Sequence, residues 1–181
     1  MMEETVAFGT AGTVLGDLLV AATEAGIVSL GFHDSPAARA RTAKAAALPV
    51  VDDRERLAPA LDALRAYFDG DPKTFDLPID WRLTSDAQRA VLGTLYSTVR
   101  YGETVTYGEL GERSGTGLHA QVIGQVMGSN PIPLIVPCHR VVAANGLGGY
   151  SGGSGIEVKR WLLTLEGSVP ATLDWDLALP P

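Results

Sequence analysis

Three prolines, Pro131, Pro133 and Pro137, crowd the seven residues that precede the only cysteine of the 181-residue chain. A proline locks its own φ, withholds a backbone N–H and pushes the residue before it out of the helical region. Residues 130–142, NPIPLIVPCHRVV, therefore cannot form an ordinary helix, and Cys138 is expected on a stiff, non-helical segment. Such a segment can hold a nucleophile still.

The neighbours of the thiol bear on what it can do. A thiol attacks as its thiolate, and an unperturbed cysteine with a pKa of about 8.5 is only a few per cent ionised at neutral pH. His139 is placed to take the proton, directly or through a water, and Arg140 adds positive charge. Lowering the thiol pKa by about two units corresponds to roughly 2.7 kcal/mol of preference for the thiolate. A lone cysteine judged by its identity alone is more often a small buried hydrophobe.

With 46% apolar residues the chain can build the core of one large domain or two small ones. No apolar run approaches the roughly 20 residues a membrane helix needs, and the acidic start MMEETVAF lacks a basic region, so a cytoplasmic location is expected. A single cysteine excludes an internal disulfide framework and leaves no cysteine cluster for zinc; no metal is expected.

The net charge of −7 argues at first sight against nucleic-acid binding, which draws much of its affinity from neutralised phosphates. Its distribution changes the argument. Residues 1–84 hold eight basic and thirteen acidic residues, a net −5; residues 85–170 hold six of each; the remainder adds Asp174 and Asp176. The cysteine-bearing half is neutral rather than basic, so any nucleic-acid binding there is expected to be weak and salt-sensitive.

In chain order, residues 13–21 and 27–32 alternate as an antiparallel hairpin about a turn at 23–26, with Val28, Leu30 and Phe32 on one face. Residues 35–47 fit a short helix or an exposed loop, and Val50 and Val51 a short strand. Leu57, Leu61, Leu64 and Phe68 follow helical spacing up to about Gly70, with Pro59 tolerable only in the first turn. Residues 69–80 are proline-rich and polar and read as a linker. Ser85 or Thr84 can cap a helix with Val91, Leu92, Leu95 and Val99 on one stripe, ending at Tyr101-Gly102. Thr106 is an N-cap for a helix through Glu112; a glycine turn at 115–117 and a second helix over 119–128 complete a helix-turn-helix pattern. Residues 141–144 read as a strand and Asn145-Gly146 as a tight hairpin turn, together the wing of a winged helix. Val158, Trp161, Leu162 and Leu165 line a last helix.

PCHRVV, with Asn130-Pro131 before it and GYSGG and a KRWLL helix after it, closely resembles the active-site signature of the O6-alkylguanine-DNA alkyltransferases. The resemblance runs from about Phe75 to Gly167, several motifs recurring in the same order. It implies an N-terminal α/β domain, ribonuclease H-like with an antiparallel sheet and helix, over 1–84, and a mainly helical winged helix-turn-helix domain over 85–170, with 171–181 as a tail. It implies a monomer without cofactor whose partner is alkylated DNA: the second helix enters the minor groove, a guanine is flipped out, and its O6-alkyl group moves irreversibly to the cysteine. O4-alkylthymine is a second lesion the sequence leaves open.

Carried over residue by residue, Cys138 is the nucleophile, His139 its base and Glu166 the group that orients His139. Asn130 resembles the hinge asparagine that ties the helix-turn-helix to the active site. Tyr107 matches the tyrosine that helps rotate the target nucleotide; Val141, Tyr150 and Ser151 match positions that line the base pocket; Lys159 matches a lysine near the thiol. In the second helix Ala120, Gln121, Val122 and Gly124 face DNA, and Gln121 stands where the family pattern has an arginine that fills the space of the flipped base. A glutamine keeps hydrogen-bonding ability and loses charge. Two rivals are a cysteine hydrolase, against which stands the lack of an oxyanion loop, and a regulatory or lesion-binding helix-turn-helix protein with an incidental thiol, weak in transfer for want of that arginine.

Overall fold

The computed structural model describes residues 3–71, 75–150, 152–153 and 155–170. The chain divides into two compact units, one of Met1–Asp71 with Phe75–Thr84, the other beginning at Ser85.

The first unit is a four-stranded sheet in the order β3-β2-β1-β4 with two helices. β1 (Val6–Thr13) pairs antiparallel with β2 (Gly16–Thr23), which pairs antiparallel with β3 (Gly26–Gly31). β1 lies outside the predicted hairpin, whose first strand starts at Gly16 rather than Thr13. β4 (Val50–Val51) joins β1 in parallel, so the sheet is mixed rather than purely antiparallel.

Alternate residues of a strand face one side. Ala7, Gly9 and Ala11 form a small-residue face on which α2 (Arg54–Phe68) packs; a Cβ at Gly9 would come within 3.1 Å of Leu57. Leu57, Ala60, Leu64 and Tyr67 are the buried stripe of α2. Pro59 sits in its second turn, past the first where it was expected, on an exposed position where the carbonyl it leaves unpaired can face water. On the opposite face Val6, Ala21 and Val28 cluster with Phe8, Ala43 and Leu48. Ala43 comes from α1 (Pro36–Ala46), which settles residues 35–47 as a helix, N-capped by Ser35. The linker reading of 69–80 fails at its end, where Ile79 bridges Ile27 in parallel and the carboxylate of Asp80, buried, accepts hydrogen bonds from Thr23 and Arg82.

The second unit opens with α3 (Asp86–Thr98), closed by a capping box between Ser85 and Gln88 and burying Val91, Leu92 and Leu95. β5 (Val105–Thr106) leads into α4 (Tyr107–Ser114), whose capping box joins Thr106 and Glu109. A left-handed Gly115 ends α4, and α5 (Ala120–Gly128) follows. Beyond α5 the proline-rich run folds into tight turns that bury Ile132, Leu134, Ile135 and Val136; Leu134 takes a φ of 69°.

Cys138–Arg140 form a single 3-10 turn, where a stiff, non-helical segment was expected. The prolines bar helix only upstream: Pro137 stands before the turn, where its missing N–H is not needed. β6 is only Val141–Val142 and pairs in parallel with β5. Ala143 bridges Gly146, so the turn centres one residue earlier than Asn145-Gly146, and no second wing strand occurs among the described residues. α6 (Ile156–Leu165) returns Val158, Trp161 and Leu162 to the core.

Candidate active site

Cys138 is 5% exposed and lies on a pocket of about 390 Å³ that Tyr107, Gly124, Met127, Gly128, Gly149 and Tyr150 also line. α4 brings Tyr107, α5 brings Gly124, Met127 and Gly128, and the glycine-rich segment after β6 brings Gly149 and Tyr150. Gly148 must be glycine: it has a φ of 72°, and a Cβ would stand 2.8 Å from the Tyr107 hydroxyl.

Burial pushes the Cys138 thiol above its ordinary pKa, against the pull of the Asn130 side chain, the Lys159 charge and nearby backbone N–H groups. That reverses the expected lowering. The site supplies four aids to the thiolate, yet desolvation outweighs them.

Asn130 joins the end of α5 to the thiol. Its Nδ2 donates to the Val136 carbonyl at 2.9 Å, its Oδ1 accepts from the Ile132 N–H at 3.0 Å, and its side chain also hydrogen-bonds the thiol. The Tyr150 hydroxyl is buried on the same pocket, and burial first and the neighbouring thiolate second raise its pKa. Tyr107, half-buried, sets its hydroxyl 3.5 Å from the Gly149 carbonyl.

Lys159 is fully buried, and its Nζ donates to the carbonyls of Val141 at 2.6 Å and Gly149 at 3.1 Å. Burial lowers its pKa to about 8 while the thiolate raises it. The lysine thus clamps the pocket's Gly149 wall to β6. Val141, whose carbonyl accepts from Lys159, is not among the residues that line the pocket. Ser151 falls outside the described residues.

Behind the thiol His139 is fully buried, and its Nε2 lies 2.7 Å from Glu166 Oε1. Burial lowers the imidazole pKa, the Glu166 carboxylate raises it, and Arg140 and Lys159 lower it; the net direction is down, so the ring is neutral. A neutral ring with Nε2–H donating to the carboxylate keeps its lone pair on Nδ1, which has no hydrogen bond within the described protein.

Burial raises Glu166, but His139 first and then Arg140 pull its pKa down to about 2. Arg140 was expected to assist the thiolate. Its guanidinium instead turns to Glu166, with Nε 2.9 Å from Oε2 and Nη2 3.1 Å from Oε1, while Nη1 donates to the Val99 carbonyl at 3.0 Å.

Of the four residues expected to face DNA, Ala120 and Gln121 are exposed and Val122 and Gly124 partly so; Gly124 lies beside the Tyr107 ring. The sequence reading missed Met127 and Gly128 as pocket walls. Their helical spacing from Gly124, three and four residues on, was the available signal. Among the described residues no group of His, Cys, Asp and Glu could hold a metal, and no helix is long and apolar enough to cross a membrane.

Comparison with known proteins accounts for both units. Residues 6–81 match the family model for the ribonuclease-like domain of 6-O-methylguanine DNA methyltransferase, and residues 86–168 that for its DNA binding domain. The methylated-DNA--protein-cysteine methyltransferase of Mycobacterium tuberculosis is 47% identical over 116 residues, 63% of this chain and 68% of that protein. The protein of the same name from Methanosarcina acetivorans is 42% identical over 119 residues, 65% and 74% of the two chains. The crystal structure of Mycobacterium tuberculosis OGT in complex with DNA superimposes with a TM-score of 0.71 at 34% identity, covering 90% of this chain and 93% of that one. With two family models spanning almost all the described residues, this chain belongs to the 6-O-methylguanine DNA methyltransferase family.

Proposed function

We propose that the chain repairs DNA by direct reversal, taking the methyl or alkyl group of an O6-alkylguanine onto Cys138 in a single, irreversible turnover. The observation that carries the reading is a thiol on a base-sized pocket with a buried, neutral histidine behind it that is oriented by a carboxylate. A pocket of about 390 Å³ suits one purine.

The alkylated base enters the pocket from an opened duplex or from a strand already unpaired, between Tyr107 and the Gly149–Tyr150 wall. His139 Nδ1 takes the thiol proton through an intervening water, Glu166 stabilising the imidazolium as it forms. The thiolate attacks the alkyl carbon in line: an S–C bond forms, the C–O6 bond breaks, and its electron pair returns to the guanine. The proton from the thiol restores neutral guanine, so the step balances without a cofactor. A thioether is not hydrolysed, so the protein acts once.

Residues 85–170 carry the whole of this chemistry, and residues 1–84 form the companion domain. The protein works as a monomer in the cytoplasm. Intact-mass analysis after incubation with an oligonucleotide bearing O6-methylguanine tests the reading. One added methyl per chain is expected, on Cys138 and absent from Cys138→Ala. Continued conversion of excess substrate by a fixed amount of protein would falsify single turnover.

A further inference from the structure

We infer that this protein's preferred substrate is an alkylguanine in an unpaired strand rather than in a duplex, an inference that rests on Cys138 being the alkyl acceptor. The argument starts from where the charges of the second unit lie. Over residues 85–170 six cations balance six acids in the sequence, but two of those cations, Arg140 and Lys159, are buried and only one acid, Glu166, is buried with them. Among the described residues from 85 onward the exposed cations are Arg89, Arg100, Arg113 and Arg160. The exposed acids are Asp86, Glu103, Glu109, Glu112 and Glu157, so the surface carries −1 where the sequence carries zero. The helix pair beside the pocket is poorer still, since α4 holds Arg113 against Glu109 and Glu112, and α5, AQVIGQVMG, holds no charge at all.

α5 supplies three of the pocket-lining residues, Gly124, Met127 and Gly128, so DNA delivering a base to Cys138 must run along this helix. To reach the pocket from a duplex, a base must first leave its pair and its stack, a cost of a few kcal/mol that a lesion already in a single strand does not carry. Proteins offset that cost with contacts to the duplex, chiefly cations on phosphates. Here the exposed turns of α5 offer Gln121 and Gln125, which can hydrogen-bond but attract no phosphate. The pocket itself is intact and asks only for the base. Extrusion is therefore left largely uncompensated, and the unpaired substrate is favoured.

The test compares single-turnover transfer from one O6-methylguanine oligonucleotide, as a single strand and annealed to its complement, with duplex affinity measured across a salt series. Transfer from the single strand is expected to be at least about tenfold faster at subsaturating protein, a part of the full extrusion cost. Undamaged duplex should bind with a shallow salt slope, corresponding to about one or two released counterions. Gln125→Lys, which adds a cation on the exposed face one turn from Gln121, should speed duplex transfer and steepen the slope by about one unit. It should leave transfer from free O6-benzylguanine unchanged. Duplex transfer as fast as or faster than single-strand transfer overturns the inference while leaving the function standing. No transfer to Cys138 from any of these substrates overturns the function itself.

Discussion

Replacing Glu166 by glutamine keeps the shape of the side chain and removes one charge from a site where its side chain has no exposure. In the parent that charge answers two groups: the His139 Nε2–H and the Arg140 guanidinium, itself only 6% exposed. In Glu166→Gln the guanidinium stays buried without a counter-charge, and removing one partner of a buried pair costs about 3–5 kcal/mol. The titration of Glu166 gives a second route to the magnitude. Its pKa falls from 4.5 to about 2 on folding, which corresponds to about 3 kcal/mol in favour of the folded state. Because the folded pKa is the lower one, that stabilisation is present above pH 4.5 and disappears as pH falls toward 2.

Two measurements follow. Thermal melts at neutral pH should place the variant about 6–12 °C below the parent, at about 2–4 °C per kcal/mol for a chain of this size. Urea titrations from neutral pH down to about pH 3 should show the two proteins converging, since the parent loses what the variant already lacks. Adding Arg140→Met to Glu166→Gln should restore part of the loss, because no charge then stays buried alone. A single variant within about 0.5 kcal/mol of the parent, or a double variant that loses more than the single, would refute the triad of His139, Glu166 and Arg140 as a coupled buried unit.

Three further outcomes are expected. His139→Ala should slow methyl transfer by about 100-fold or more while leaving the dissociation constant for DNA unchanged, since it removes the base and no groove contact; equal loss of both would show the histidine misplaced. In the parent, the transfer rate should climb with pH above neutrality as the buried thiol ionises, and Lys159→Met should move that climb to higher pH by removing the cation that favours the thiolate; superimposable pH profiles would exclude the lysine's charge from the chemistry. Gln121→Arg should tighten binding to duplex DNA, steepen its salt dependence by up to about one unit and speed transfer from duplex; an arginine variant no faster than its parent would show that position 121 does not fill the gap left by the flipped base.

What could be read from the sequence was local. The caps at Ser85 and Thr106 are single residues, and they marked where α3 and α4 begin; the ends were less legible, at Thr98 rather than beside Tyr101-Gly102 and at Ser114 rather than Glu112. Nothing local marks β1. Its residues VAFGTAGT are small because α2 lies close against them, so the strand lacks the bulky alternation by which strands are recognised. Residues 35–47 were undecided for a similar reason, since an Ala-rich helix carrying almost no apolar stripe looks the same whether it packs or frays. At the site, Cys138, His139, Asn130, Tyr107 and Tyr150 were each legible from the motif, and the structure gathers their side chains around one pocket and the relay behind it.

Burial is what the sequence concealed, and it changed the chemistry twice. Arg140 follows His139 in the chain, so its charge was credited to the thiolate; its partner is Glu166, 26 residues on, and the pairing spends that charge on holding the carboxylate ionised. The thiol then depends on Lys159, Asn130 and the backbone alone, and these do not overcome its own desolvation. The same two buried cations explain why a domain neutral by count has a slightly acidic surface. An alkyl acceptor used once does not need a thiolate that persists in the resting protein, where it would be exposed to every passing electrophile. With burial holding the Cys138 thiol above its ordinary pKa, the transfer rate is expected to rise with pH.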